Sequence, residues 1–223
     1  QIPPNPEPYY RLGLFLQWDI RHIDLEAAAR YFRQAIERNP LEQEYWLQLA
    51  KVLQRIGENS ACERALQNAI RVFPTGYRGR WMTANLFLQL GSLEKALPHF
   101  SYVLAHYPNQ SSPVYDVLEK AVGDADIVLE RIVPKDRSSF RQYLDYLYGM
   151  EDREAARKAW AKRDSFGFQA DRAETIRHIE FLISRGEFNE AFQVWRARLW
   201  TVLSLPTFKN SRRRTRSPPR IGK

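Results

Sequence analysis

Apolar residues recur along the chain at steps of three and four, the pattern of helices that each bury one stripe. Between Tyr45 and Gly57 the stripe is Trp46, Leu49, Ala50 and Leu53, and Ala50 is small enough for a second helix to approach closely. Between Ser60 and Val72 it is Ala61, Ala65, Leu66, Ala69 and Ile70. Gly57 ends the first of these helices, and Pro74, which cannot continue a helix, stops the second. The pattern therefore predicts two short helices joined by a tight turn, neither able to cover its own stripe.

The same unit returns along the chain. Pro40, Pro74 and Pro108 are 34 residues apart, as are Gly57 and Gly91. Ala28, Cys62 and Ala96 keep that step, and so do Phe32, Leu66 and Phe100, and Ala35, Ala69 and Val103. Five positions on one period predict stacked repeats, each burying its stripe against the next.

These residues resemble the tetratricopeptide pattern: an aromatic residue, Leu-Gly or Leu-Ala, a bulky residue, then Ala, Phe, Ala and Pro. It is carried by Trp46, Leu49-Ala50, Leu53, Gly57, Cys62, Leu66, Ala69 and Pro74, and again by Ala84, Phe87, Gly91, Ala96, Phe100 and Pro108. Ahead of them, Tyr9, Leu12-Gly13 and Leu16 open a unit whose second helix holds Ala28, Phe32, Ala35 and Pro40. That unit has three extra residues, which we place in the turn around Ile20 to Asp24. Pro98 falls deep inside its helix and predicts a slight kink.

Beyond Pro108 the period weakens but helix signals continue. Ser112 before Pro113, Ser139 with Gln142, and Asp171 with Glu174 all have the form of helix caps. Residues 113–134 read as a shorter, irregular pair. Phe140, Tyr143, Leu144 and Leu147 pair with a helix carrying Ala155, Ala156 and Trp160. Ile176, Ile179, Leu182 and Gly186, followed by Ala191 and Trp195, repeat that design. The expected fold is all-α: a TPR-like right-handed α-solenoid of about five to six antiparallel helix pairs. An N-terminal extension over residues 1–8 would precede three regular repeats over 9–108, divergent helical repeats over 109–205, and a disordered basic tail over 206–223.

Charge changes this picture only at the end of the chain. Of 34 basic residues, seven lie between Lys209 and Lys223 with no acid among them, leaving 27 basic against 26 acidic residues in the body. A near-neutral body does not favour nucleic acid as its partner. The tail supplies the alternative function, an adaptor tethered to nucleic acid or to an anionic membrane through Arg212, Arg213, Arg214 and Arg216. It lacks the aromatic residues of a base-stacking site, and a solubilising tail or a non-native end is the simpler reading.

Candidate chemistry adds little. Cys62, the single cysteine, rules out an internal disulfide and occupies a small-residue position, where burial as filler is expected. His22, His99, His106 and His178 are far apart in sequence and do not have the spacing of a helix-borne zinc site. No phosphate loop or nucleophile elbow occurs, and acidic pairs such as Glu42/Glu44 and Asp124/Asp126 read as solvated faces or caps. No cofactor, metal or catalysis is expected. No run of about eighteen apolar residues is present in the sequence given.

The resemblance implies a protein or peptide partner held on the concave wall by the first helix of each pair. The family's inward positions fall on Tyr10, Leu14, Gln17 and Trp18, on Leu47, Lys51, Gln54 and Arg55, and on Arg78, Trp81, Asn85, Leu88 and Gln89. Such a mixture suits acidic or amide-rich segments, although Trp18, Trp81 and Leu88 could equally pack between repeats. Of the positions with which some family members clamp a terminal carboxylate, here Tyr10, Leu14, Gln48, Arg78 and Met82, only Arg78 fits. The segment from Gly123 to Pro134 and the opening Asn5 to Gly13 are similar to a bacterial group of the family that carries a membrane anchor ahead of the solenoid. That likeness implies an anchor before Gln1 and a body outside the cytoplasm. At the other end Trp195, Trp200, Val202 and Leu203 would leave an apolar patch and promote self-association.

Overall fold

The computed structural model describes residues 5–200. Twelve α-helices form six pairs among them. They are α1 (Glu7–Trp18) with α2 (Leu25–Arg38), α3 (Gln43–Arg55) with α4 (Asn59–Val72), α5 (Tyr77–Gln89) with α6 (Leu93–His106), and α7 (Ser111–Val122) with α8 (Ala125–Arg131). The remaining pairs are α9 (Arg137–Gly149) with α10 (Arg153–Lys162) and α11 (Arg172–Ser184) with α12 (Phe188–Trp195). Among the described residues no strand occurs and no helix is long and apolar enough to cross a membrane. The chain divides into two compact units between Phe168 and Gln169; α1 to α10 belong to the first, α11 and α12 to the second. The fold is a TPR-like α-solenoid of antiparallel helix pairs. The basic tail expected over 206–223 and the apolar end at Val202 and Leu203 lie outside the described residues, as does the start of the N-terminal extension.

The nine residues that set the 34-residue period on the second helices form the axis of the first unit's core. Ala28, Cys62 and Ala96, Phe32, Leu66 and Phe100, and Ala35, Ala69 and Val103 all have no exposed surface. The small residues let one helix lie close to the next while the large ones fill the space between pairs. Burial, with a contribution from Glu63, pushes the Cys62 thiol up to about 11, so it is a small apolar filler and not a nucleophile. Gly13 on α1 lies close against α2: a Cβ there would lie 2.6 Å from the Phe32 ring.

Several of the turns inside the pairs share one geometry. After α3 the N–H of Glu58 donates to the carbonyl of Leu53, and after α5 that of Ser92 donates to Phe87, with Gly57 and Gly91 left-handed between them. The same closure follows α9, from Asp152 to Leu147, but there Glu151 takes the left-handed position, with φ 61°. The turn between α1 and α2 spans 19–24, three residues longer than the 56–58 turn, and Asp24 caps α2 by accepting from the N–H of Ala27.

Two of the three expected caps in the later helices fall elsewhere. Ser112 lies within α7, which starts at Ser111 without a side-chain cap. Ser139 lies within α9, where Asp136 is the cap and accepts from the Ser139 N–H. Asp171 and Glu174 do form a reciprocal capping box. Pro98 sits inside α6, where it has no N–H to offer the carbonyl of Glu94.

Neighbouring repeats are also tied at their outer turns. The Trp46 Nε1–H donates to the carbonyl of Pro40 at 2.8 Å, and the Arg80 Nε–H donates to that of Pro74 at 2.8 Å. Arg80 also lies over the Tyr102 ring and within 3.2 Å of His99 Nδ1, while His99 stacks on Phe87. Burial, helped by the Arg80 charge, lowers His99 to about 4. A group whose folded value is depressed takes up its proton later than in the unfolded chain, so its contribution is full above the ordinary value near 6.5 and is lost between there and about 4. His99→Gln is therefore expected to reduce the acid sensitivity of folding by roughly 1–2 kcal/mol between pH 7.5 and 4.5, after allowance for the partial exposure of the ring. Urea unfolding at both pH values measures this; parallel losses in wild type and variant would contradict it.

Candidate partner-binding surface

The first helices α1, α3 and α5 touch one another in sequence and form one row, as each pair stacks on the next. The tetratricopeptide resemblance implies that this row is the concave side. At its centre Arg78 Nη2 lies 2.8 Å from Glu44 Oε1, an ion pair that bridges α3 and α5. The same Glu44 oxygen accepts from Gln48 Nε2 at 2.6 Å. Arg78 remains 63% exposed in this pair, so it can exchange Glu44 for another acceptor at little cost.

Around that pair the sequence brings together groups of both kinds. Lys51 is half-buried on α3, and burial holds its ammonium below the ordinary lysine value, with Glu44 opposing the shift and Arg78 adding to it. Its Nζ stands 5.9 Å from the Trp18 ring, which is 61% exposed on α1. Tyr10 packs its ring 4.9 Å from Tyr45 and 6.0 Å from Phe32, and burial, with Glu44 next, raises its phenol to about 12. The phenol is therefore a neutral hydrogen-bond donor at ordinary pH. On α5, Asn85 donates its side-chain amide to the Trp81 carbonyl, while the Trp81 ring meets Tyr77 and Phe100. Leu14 and Leu88 are half-buried on α1 and α5. At the end of the row the exposed Arg55 donates through Nη1 to the carbonyl of Gln17, near the end of α1.

Two residues expected on this surface are not there. Leu47 is fully buried and Gln17 is 1% exposed. The reason lies in the position of their helices. α3 packs against α1, α2, α4 and α5, so seven of its residues are buried and its inward stripe is narrower than that of an end helix. Gln17 turns into the core of the first pair, where its side-chain amide has no hydrogen-bond partner. Conversely, Glu44 was not among the expected wall residues, although the 34-residue step places an acid there opposite Arg78 of the next repeat.

The histidines remain separate from each other. His22 contacts Asp19 and His106 the Tyr102 carbonyl. Among the described residues no group of three or more His, Cys, Asp and Glu side chains could hold a metal.

A family model described as tetratricopeptide repeat matches residues 21–59 and 47–111, the stretch that holds α2 to α6. No curated protein sequence matches the chain. Among solved structures, that of pilF from Pseudomonas aeruginosa is similar, with 18% identity over 89% of this chain and 92% of that one and a TM-score of 0.47. So is that of the MamA RS-1 ArsTM double mutant, with 12% identity over 75% and 97% of the two chains and a TM-score of 0.47. The tetratricopeptide-repeat match over residues 21–111 agrees with the antiparallel helix pairs found there, so this part of the chain is built of repeats of that kind.

Proposed function

We propose that the row of α1, α3 and α5 holds a segment of a protein partner and that the protein acts as a scaffold without catalysis. The observation that carries this reading is the exposed Arg78–Glu44 pair, flanked by Lys51, Tyr10 and the outstanding Trp18. Lys51, Arg55 and Arg78 outnumber Glu44, so the row carries a positive excess suited to an acidic or amide-rich segment, as an extended strand or a helix. An incoming carboxylate replaces Glu44 at Arg78 and stabilises the partly desolvated ammonium of Lys51. Trp18 offers a large apolar face that loses little conformational freedom on contact.

The test is affinity capture with the full chain beside the Trp18→Ala/Lys51→Ala/Arg78→Ala variant, read by mass spectrometry, with circular dichroism to verify folding. We expect a partner recovered by the native chain to fall by about tenfold or more with the variant, as loss of one strong anchor already costs over 1 kcal/mol. Equal recovery by two folded proteins would remove this row from the binding role.

A further inference from the structure

The first and last of the described pairs leave uncovered what α3 to α6 cover. On α3 and α5 one side is turned to the preceding pair: the Tyr45 ring lies 4.9 Å from that of Tyr10, and a Cβ at Gly79, 34 residues after Tyr45, would lie 2.4 Å from Gln43 Nε2. Positions four and seven further along a helix share that side. They are Leu49 and Val52 on α3 and Thr83 and Leu86 on α5, all of them buried. With the three-residue insertion allowed for, the same two positions on α1 are Leu12 and Phe15. These are 44% and 51% exposed, with the Phe15 ring stacked only on the exposed His22.

α11 and α12 show the same thing with the direction reversed. The left-handed Gly186 and the bond from the Glu187 N–H to the Leu182 carbonyl reproduce the turn at Gly57, which aligns α11 and α12 with α3 and α4. In that frame Ile176 matches Tyr10, Leu47 and Trp81, and Phe192 matches Ala29, Glu63 and Leu97. Earlier in the chain both positions are turned to the following pair: Tyr10 meets Tyr45, and Glu63 Oε1 lies 2.7 Å from Lys95 Nζ on α6. Leu47, Ala29 and Leu97 are buried there. Ile176 and Phe192 are instead 37% and 52% exposed, and Phe188, one turn before Phe192, is exposed as well. Solenoid ends that meet only water carry polar outer faces. Here α1 presents the apolar side that receives a preceding pair, and α11 with α12 the apolar side that receives a following one.

We propose that a second copy of the chain covers both, the α1 side of one copy packing on the α11 and α12 side of the next, so that the stacking of pairs continues from copy to copy. A second copy offers each side its complement in a single contact. That contact extends the packing that already joins the first two pairs: Leu12 and Phe15 take the places of Leu49 and Val52, and Ile176 and Phe192 those of Tyr10 and Ala29. Because the two sides differ, the contact is heterologous, and an open assembly keeps one unfilled side at each end. It uses a different side of α1 from the row proposed to hold a partner and does not rest on that role.

Sedimentation equilibrium of the full chain tests it. The native chain is expected to associate reversibly to dimers or larger species as its concentration is raised. Phe15→Glu blocks one side and Phe192→Glu the other, and each alone is expected to weaken association by about tenfold or more, the effect of losing one well-placed aromatic anchor. Mixed in equal amounts, the two variants still offer one intact side each, so they are expected to recover a dimer with nearly the native affinity and to stop there. Both residues are exposed, so folding should survive, which circular dichroism verifies; Leu12→Lys and Ile176→Lys are a second pair of blocks that serves if the first does not fold. A native chain that stays monomeric, its apolar sides left to another protein or to residues beyond Trp200, would overturn the proposal. So would association that persists in either single variant, the mark of a like-to-like contact, or a mixture no heavier than its parts.

Discussion

Leu47→Ala is expected to lower the folding free energy by about 2–5 kcal/mol, the range for truncating a fully buried leucine. Leu47 has no exposed surface, so the loss combines the transfer free energy of the removed carbons with the cavity they leave. α3 touches α1 and α2 on one side and α4 and α5 on the other, so the cavity weakens the joints to both neighbouring pairs. At roughly 2–4 °C per kcal/mol for a chain of this size, the melting temperature should fall by about 5–15 °C. The Glu44–Arg78 pair lies on the same helix but outside the core, and below the new melting temperature capture of a partner through that pair should persist. A fall in capture with unchanged melting would return Leu47 to the binding surface and contradict its burial.

Gly13→Leu is expected to cost about 2–3 kcal/mol, and for the opposite reason. A Cβ at Gly13 would lie 2.6, 2.8 and 2.9 Å from three carbons of the Phe32 ring. Phe32 is completely buried and cannot swing aside without opening the core, so overpacking of about 1–3 kcal/mol or more is imposed. Replacing glycine inside a helix returns up to about 1 kcal/mol of backbone entropy, which sets Gly13→Ala closer to neutral than the leucine variant. In a stack of pairs the damage should stay local at first. Hydrogen exchange should therefore quicken in α1 and α2 while α9 and α10 keep their protection. Uniform quickening across the first unit would show that its pairs unfold as one block.

The regular pairs were legible because burial in a stack repeats with the sequence. The positions of Ala28, Phe32 and Ala35 recur at 34 residues, and all nine residues at them are inaccessible. The three-residue insertion was legible too, since shifting the first helix against that frame leaves only the turn to absorb it. What escaped has no period. Glu151 stands where Gly57 and Gly91 stand in the earlier turns and adopts the same left-handed backbone, so the turn is kept while its glycine signal is lost. Ser139 resembles a cap, but a cap is decided by which oxygen reaches the first free N–H groups, and Asp136 reaches them first. On the wall, stepping along one helix gives its inward direction but not how many neighbours cover it, so Leu47 and Gln17 were placed one layer too far out.

The paired contacts at the outer turns bear on how such arrays diverge. Trp46 and Arg80 occupy the same place in successive repeats, as do Pro40 and Pro74, yet an indole and a guanidinium have almost nothing in common except an N–H held at the right distance. Selection at this place can preserve a donor's position while leaving its chemical identity free. Substitution tables would score the exchange of tryptophan for arginine as radical, although the bond it supports is unchanged. Lineages of repeats can thus drift in ancestry-bearing letters and stay geometrically interchangeable, and a duplicated repeat can be grafted between positions if its donor meets the preceding carbonyl.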